Sequence, residues 1–336
     1  MRSVFLAALA AALLAPAVRA QNVAWTEHAD SVVTASGTLH GTLALPDADG
    51  PVPVALLIAG SGPTDRDGNQ GGEGPATLRK LAHALAARGV ASVRFDKRGI
   101  AESEAAGDAE GAGRYDLFVA DVADWTDRLQ ADPRFSTVSL AGHSEGGLFA
   151  LAAGHARRAD AVVSIAGPGI PMTAVLRRQL ADPVRLPTEE LRAAATRALD
   201  AIEAGEVADD LPAPLDQLFS PSTQRMLAEW APWDPAAEAA AFDGPILVVQ
   251  GTTDRQGEPD EAERLAAASD RAQLLLIDGM NHVLVQDSGT LFEQAVGSYA
   301  DPARPLDETL VREVAAFLLG VAPREIGPAA PMPTGG

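Results

Sequence analysis

The chain has 336 residues, 46 of them acidic and 26 basic, a formal charge of −20, and no cysteine. Its length suits one large domain or two ordinary ones, and 47% hydrophobic with 21% charged residues is a globular composition. The acidic balance disfavours a nucleic-acid partner, which needs clustered Lys and Arg, and the lack of Cys excludes a zinc ribbon, a thiol nucleophile or a disulfide framework.

The chain opens with the pattern of an export signal. Arg2 is a short positive start, Val4 to Leu14 an apolar run, and Val18-Arg19-Ala20 supplies small residues for cleavage after Ala20. An uncleaved anchor is the alternative, but the run is shorter than the ~20 residues a span needs. Cleavage would leave 316 residues of charge −22 beginning at Gln21. The expectation is a periplasmic or secreted bacterial protein without a stable membrane anchor; a Cys-free chain needs no oxidative folding there.

Strands and helices then alternate. Residues 31–45 read as a hairpin turning at Ser36-Gly37. Val54 to Ala59 is a continuous apolar run ending in glycines, the pattern of a buried strand. Thr77 to Arg88 has helical spacing and Gly89 stops it. Val90 to Phe95 is a strand, Tyr115 to Ala131 a helix, Thr137 to Ala141 a strand, Gly146 to Arg158 a helix and Ala161 to Ala166 a strand. Residues 170–240 are rich in Ala, Glu and Arg, punctuated by proline and without a strand-like run, which predicts a helical insertion. Strands follow at Pro245 to Gln250 and Gln273 to Ile277, then a helix at Leu306 to Leu319. This alternation predicts an α/β fold with a mostly parallel sheet. The expected divisions are a signal at 1–20, a core at 21–169 and 241–322, a helical cap at 170–240 and a flexible tail at 323–336.

The strongest chemical signal is Gly142-His143-Ser144-Glu145-Gly146, a G-x-S-x-G turn between strand and helix. Small neighbours let such a turn tighten until the Ser144 hydroxyl stands out over the sheet edge. A serine needs a base. Of six histidines, His282 lies just past the last core strand, at the same edge. His28 and His40 fall in the hairpin region and His83 and His155 inside helices. His143 adjoins the nucleophile, but alternation along the turn aims it away from Ser144. No histidine pair has metal-ligand spacing.

The base needs an acid to hold its tautomer. Asp254 follows a buried strand and completes the order Ser144, Asp254, His282; Asp278 competes but reads as a turn cap. A tetrahedral intermediate needs two amide donors. Glu145 N–H is one, its side chain having no role and expected in solvent. The loop Gly60-Ser61-Gly62-Pro63 supplies the other, Ser61 being preferred and Gly62 the runner-up. That loop is no dinucleotide fingerprint, because Asp65 stands where a third glycine is required.

In these residues the chain resembles the α/β-hydrolase superfamily over nearly all of 25–320, and within it secreted bacterial esterases and serine aminopeptidase-like hydrolases. The matching stretches are Gly60 to Gly68, Phe95-Asp96-Lys97-Arg98-Gly99, Gly142 to Gly147 and Gly279-Met280-Asn281-His282. Departures are Ile100-Ala101, where a glycine usually follows Arg98-Gly99, and Gly257, where an apolar residue usually follows the acid. Asp96 and Arg98 read as structural. The resemblance implies hydrolysis of a small carboxylic ester through an acyl-Ser144, without cofactor or metal. Two alternatives stand: a peptidase or amidase, with Glu189, Glu190, Asp209 and Asp210 as candidate carboxylates for a substrate ammonium, and a non-catalytic binding protein on the same fold. The apolar residues of 170–240, among them Met172, Leu176, Leu218, Phe219, Met226, Leu227 and Trp230, are expected to form a lid over Ser144.

Overall fold

The computed structural model describes residues 23–107 and 114–323. The signal expected at 1–20 and, Pro323 apart, the expected tail lie outside the described residues. Chain order is β1 (Trp25–Thr34), β2 (Gly37–Pro46), β3 (Val52–Ile58), α1 (Thr77–Ala86), β4 (Ala91–Phe95), a 3-10 helix (Ala101–Ala106), α2 (Tyr115–Gln130), β5 (Phe135–His143), α3 (Gly146–Arg157) and β6 (Ala161–Ile165). Then come α4 (Met172–Ala181), α5 (Glu189–Glu203), α6 (Ala213–Leu218), α7 (Pro221–Trp230), α8 (Pro235–Ala241), β7 (Ile246–Gly251), α9 (Pro259–Ala267), β8 (Ala272–Ile277), α10 (Leu291–Val296) and α11 (Glu308–Leu319).

The eight strands form one sheet in the order β1-β2-β4-β3-β5-β6-β7-β8. The β1–β2 and β2–β4 pairs are antiparallel and the rest parallel. Every residue of β4, β6 and β7 is buried, as expected of strands covered on both faces. One face carries a core shared by α2, α3 and the helices between β6 and β7; the other packs against α1 and α11.

Register decides what meets at the C-terminal edge of the sheet. Ile58 of β3 pairs with Gly142 of β5, so Gly60 and Ser144, each two residues on, lie level. Leu57 pairs with Arg94 of β4, so Gly60 and Lys97, each three residues on, lie level on the other side. Ser144, Asp254 and His282 each follow a strand of the same parallel set, β5, β7 and β8. Five helices, α4 to α8, occupy 172–241, where the composition predicts helix.

Candidate active site

Ser144 sits between β5 and α3 at φ 55°, a left-handed conformation that costs a non-glycine residue of order 1–3 kcal/mol. Two backbone bonds hold it there: Ser144 N–H donates to Ile165 O at 2.9 Å, and Ser144 O accepts Gly147 N–H at 2.9 Å. The flanking glycines are obligatory. A Cβ on Gly142 would lie 2.0 Å from Gly146 O, and one on Gly146 would lie 2.4 Å from Ile58 O. The strain lifts Ser144 into a cavity of about 360 Å³ that it shares with Gly60, Ser61, Gln70, His143, His282 and Tyr299.

His282 Nδ1 donates to Asp254 Oδ2 at 2.8 Å, which fixes the tautomer with Nε2 bare. Both side chains are buried. The carboxylate is held from every side: Gln250 Nε2 donates to Oδ2 at 3.0 Å, and the Gln256 and Gly257 amides donate to Oδ1 at 2.7 and 3.1 Å. Burial alone would raise the Asp254 pKa, but the His282 charge and these donors outweigh it and hold the carboxyl below its ordinary value. Gly257, the departure from the family pattern, supplies one of those donors. Asp278 instead accepts from Thr252 Oγ1 at 3.0 Å and does not touch His282.

His143, which alternation aims away from Ser144, donates from Nε2 to His282 O at 2.8 Å, and the two rings lie 5.0 Å apart. Burial, reinforced by the His282 charge, pulls the His143 pKa down to about 4, so this ring is neutral at pH 7. The Glu145 side chain, expected in solvent, is buried. Its Oε1 accepts from Ser61 Oγ at 3.1 Å, and its Oε2 lies 3.5 Å from Lys97 Nζ. Burial pushes the Glu145 pKa up and that of Lys97 down. Lys97 Nζ also donates to Gly60 O at 2.7 Å. Lys97 lay inside a motif read from the sequence, but its contact with Gly60 follows only from the β3–β4 register.

Among the described residues neither the Ser61 nor the Glu145 N–H donates to a protein acceptor. Ser61 lines the Ser144 cavity and Gly62 does not. Asp96 accepts from Arg66 N–H at 2.8 Å and Nε at 3.0 Å, tying that loop to the end of β4, and Arg98 pairs with buried Asp121, tying its own loop to α2. The departure at Ile100-Ala101 opens the 3-10 helix, with Ala101 at φ 47°.

A second cavity, about 370 Å³ and mostly apolar, adjoins the first at Ser61. Met172, Leu176, Leu218, Phe219, Met226 and Trp230 line one side of it and Glu145 and Lys97 its floor. Glu189, Glu190, Asp209 and Asp210 line neither cavity. Among the described residues no cluster of three His, Asp or Glu could hold a metal, and no helix is long and apolar enough to cross a membrane.

Sheet order, elbow and the strand-end position of each site residue are those of the α/β-hydrolase fold. Within it, residues 72–201 match the family described as serine aminopeptidase, S33, a stretch that includes Ser144 but ends before Asp254 and His282. The chain is 26% identical over 260 residues to esterase EstD of Thermotoga maritima, covering 76% of this chain and 60% of EstD, so it spans under two thirds of that relative. Among solved structures it is similar to Est1E from Butyrivibrio proteoclasticus, with TM-score 0.52, 15% identity and coverage of 87% and 97%. Dienelactone hydrolase from Anabaena variabilis is alike too, with TM-score 0.52, 17% identity and coverage of 89% and 99%. These two likenesses speak for the fold.

Proposed function

We propose that this protein is a serine hydrolase that cleaves small carboxylic esters through an acyl-Ser144 intermediate. The observation that carries the reading is the charge-assisted bond from His282 Nδ1 to buried Asp254, in a site whose His282 shares a cavity with the strained Ser144. His282 Nε2 takes the Ser144 proton as the hydroxyl attacks the ester carbonyl. The Ser61 and Glu145 amides receive the oxyanion. His282 then protonates the leaving alkoxide, and next activates a water that releases the acid. Asp254 stays ionised throughout, which its lowered pKa favours.

The apolar cavity suits the acyl group, since it opens at Ser61 and Glu145, where the carbonyl oxygen would sit. The more polar cavity around Gln70 and Tyr299 then takes the alcohol. The four cap carboxylates weighed as ammonium partners line neither cavity, which favours an ester over an aminoacyl amide, Glu73 being the carboxylate that does line the Ser144 cavity. EstD, an esterase by name, agrees with the choice.

A panel of p-nitrophenyl esters beside aminoacyl-p-nitroanilides tests it, with fluorophosphonate labelling of Ser144. Ester turnover is expected, and Ser144→Ala should abolish both turnover and labelling. Asp254→Asn should cost roughly 10⁴-fold in kcat through loss of the correct tautomer, with Asp278→Asn much milder. Turnover confined to the anilides would overturn the ester reading, and an unlabelled Ser144 the hydrolase reading.

A further inference from the structure

We propose that Lys97 and Gln70 are positioning residues: they clamp the two peptide planes flanking Ser61 and so keep its N–H open toward Ser144. This rests on the serine-hydrolase reading above. A trans peptide points its C=O and N–H in opposite directions. In the Gly60–Ser61 unit the oxygen accepts Lys97 Nζ at 2.7 Å, so the Ser61 N–H points away from Lys97. Lys97 and Ser144 lie level with Gly60 on opposite sides of β3, so that direction is toward the nucleophile. The approach is close, since a Cβ on Gly60 would stand 2.9 Å from Ser144 Cβ.

The next unit, Ser61–Gly62, is held the other way round. Its oxygen accepts Gln70 Nε2 at 2.7 Å and Thr64 Oγ1 at 2.9 Å, and both donors line the Ser144 cavity. The Gly62 N–H is thereby turned from that cavity, and Gly62 lines the apolar one instead. The clamps therefore select Ser61 over Gly62 as the donor. Without them the first unit is free to flip, because Gly60 has no Cβ to resist the coupled rotation. A flip would aim the Gly60 oxygen at the developing oxyanion and destroy the site.

Lys97 is itself fixed. Its ammonium has three donors and faces three acceptors: Gly60 O, Gly62 O at 3.4 Å and the Glu145 carboxylate. It lies 4.9 Å from the Phe118 ring centre. Glu145 closes the circuit, because its Oε1 takes Ser61 Oγ while its own amide is the second oxyanion donor. A buried ion pair stabilises a fold weakly for what its desolvation costs. Here it links both amides through side chains.

The test compares Lys97→Met, similar in length but without a donor, and Gln70→Met, at an exposed position. Three quantities are read: kcat and KM for a p-nitrophenyl ester, and affinity for an aryl trifluoromethyl ketone. The ketone adds Ser144 Oγ to its carbonyl carbon, the hydroxyl proton passing to His282, and so forms the same oxyanion. Lys97→Met should lower kcat about 10²-fold with KM within about threefold, as loss of one oxyanion donor does, and ketone affinity should fall in parallel. Gln70→Met should show the same signature at about tenfold. Wild-type kcat and ketone affinity in either folded variant, or a loss confined to KM, would overturn the proposal. Gln70→Met decides the matter alone if Lys97→Met does not fold. Wild-type enzyme that turns over ester and labels at Ser144, while Gln70→Met keeps full kcat, refutes only the clamp. An inert wild type refutes the hydrolase reading itself.

Discussion

Ser144, His143 and His282 show how much the site asks of single residues. Ser144 carries backbone strain that two hydrogen bonds and two glycines impose. His143 carries an electrostatic burden: held neutral against the His282 carbonyl, it resists protonation until about pH 4. In the unfolded chain a histidine titrates near 6.5. Above that pH neither state binds the proton and the group leaves stability unchanged. As pH falls from 6.5 toward 4, the unfolded state takes up a proton that the folded state refuses, so stability drops by up to roughly 3 kcal/mol. His143→Asn keeps a donor for the carbonyl but cannot titrate. Urea unfolding at pH 7.5 and 4.5 should therefore show a smaller loss on acidification in the variant than in the wild type. Equal losses would mean that His143 is protonated freely in the fold.

At the scale of elements, what could be read from sequence was what one segment states by itself. The buried parallel strands announce themselves as unbroken Val, Ile, Leu and Ala runs, and each site residue just past a strand could be placed at one edge. β1 begins at Trp25, earlier than its pattern suggests, because Thr26 to Ala29 are exposed and show no alternation. α9 has weak sequence signals: Pro259 and the acids of its first turn mark a helix start, but one of its few buried residues is Glu261, paired with Arg178, so no apolar stripe shows. The partners of Lys97, Gln70 and His143 were illegible for a different reason. Those of Lys97 and His143 lie in other loops that only strand register brings together, while those of Gln70 lie in its own loop, whose folded path the sequence does not state.

The insertion between β6 and β7 has a legible composition, but which of its side chains face a cavity depends on packing. Val175, Leu180 and Trp233 pack inward, while Leu176 and Met226 are half-buried on the apolar cavity wall. Filling that space should shorten the acyl group accepted. Leu176→Trp or Met226→Trp is expected to lower kcat/KM for p-nitrophenyl octanoate by about tenfold or more, as a few methylenes of lost apolar contact would. The acetate should be nearly unaffected. An unchanged ratio of octanoate to acetate would place the acyl group elsewhere.

Over the whole molecule, the insertion and the sheet are not energetically separate. A single contiguous cluster runs from Leu56 and Val93 of the sheet through Phe149 to Leu199, Phe219, Trp230 and Trp233. Its joint is aromatic. Tyr115 of α2 stacks on Trp233 at 4.2 Å between ring centres and meets Phe149 at 5.2 Å, while Trp230 stands edge-on to Phe149 at 6.2 Å. Aromatic pairs of this kind contribute about 0.5–1.5 kcal/mol each beyond the area they bury. Removing the insertion would expose buried residues of α2 and α3, so the helices of 172–241 and the core are expected to unfold together. Heating should therefore give one calorimetric peak whose enthalpy equals the van't Hoff value, the signature of a single cooperative unit. Tryptophan fluorescence should follow the same transition, since Trp230 and Trp233 are two of the four tryptophans and report on the insertion. A fluorescence change that precedes loss of far-UV circular dichroism, with a second calorimetric peak, would show the insertion melting alone. The acyl pocket would then be a mobile lid and not a wall built into the core.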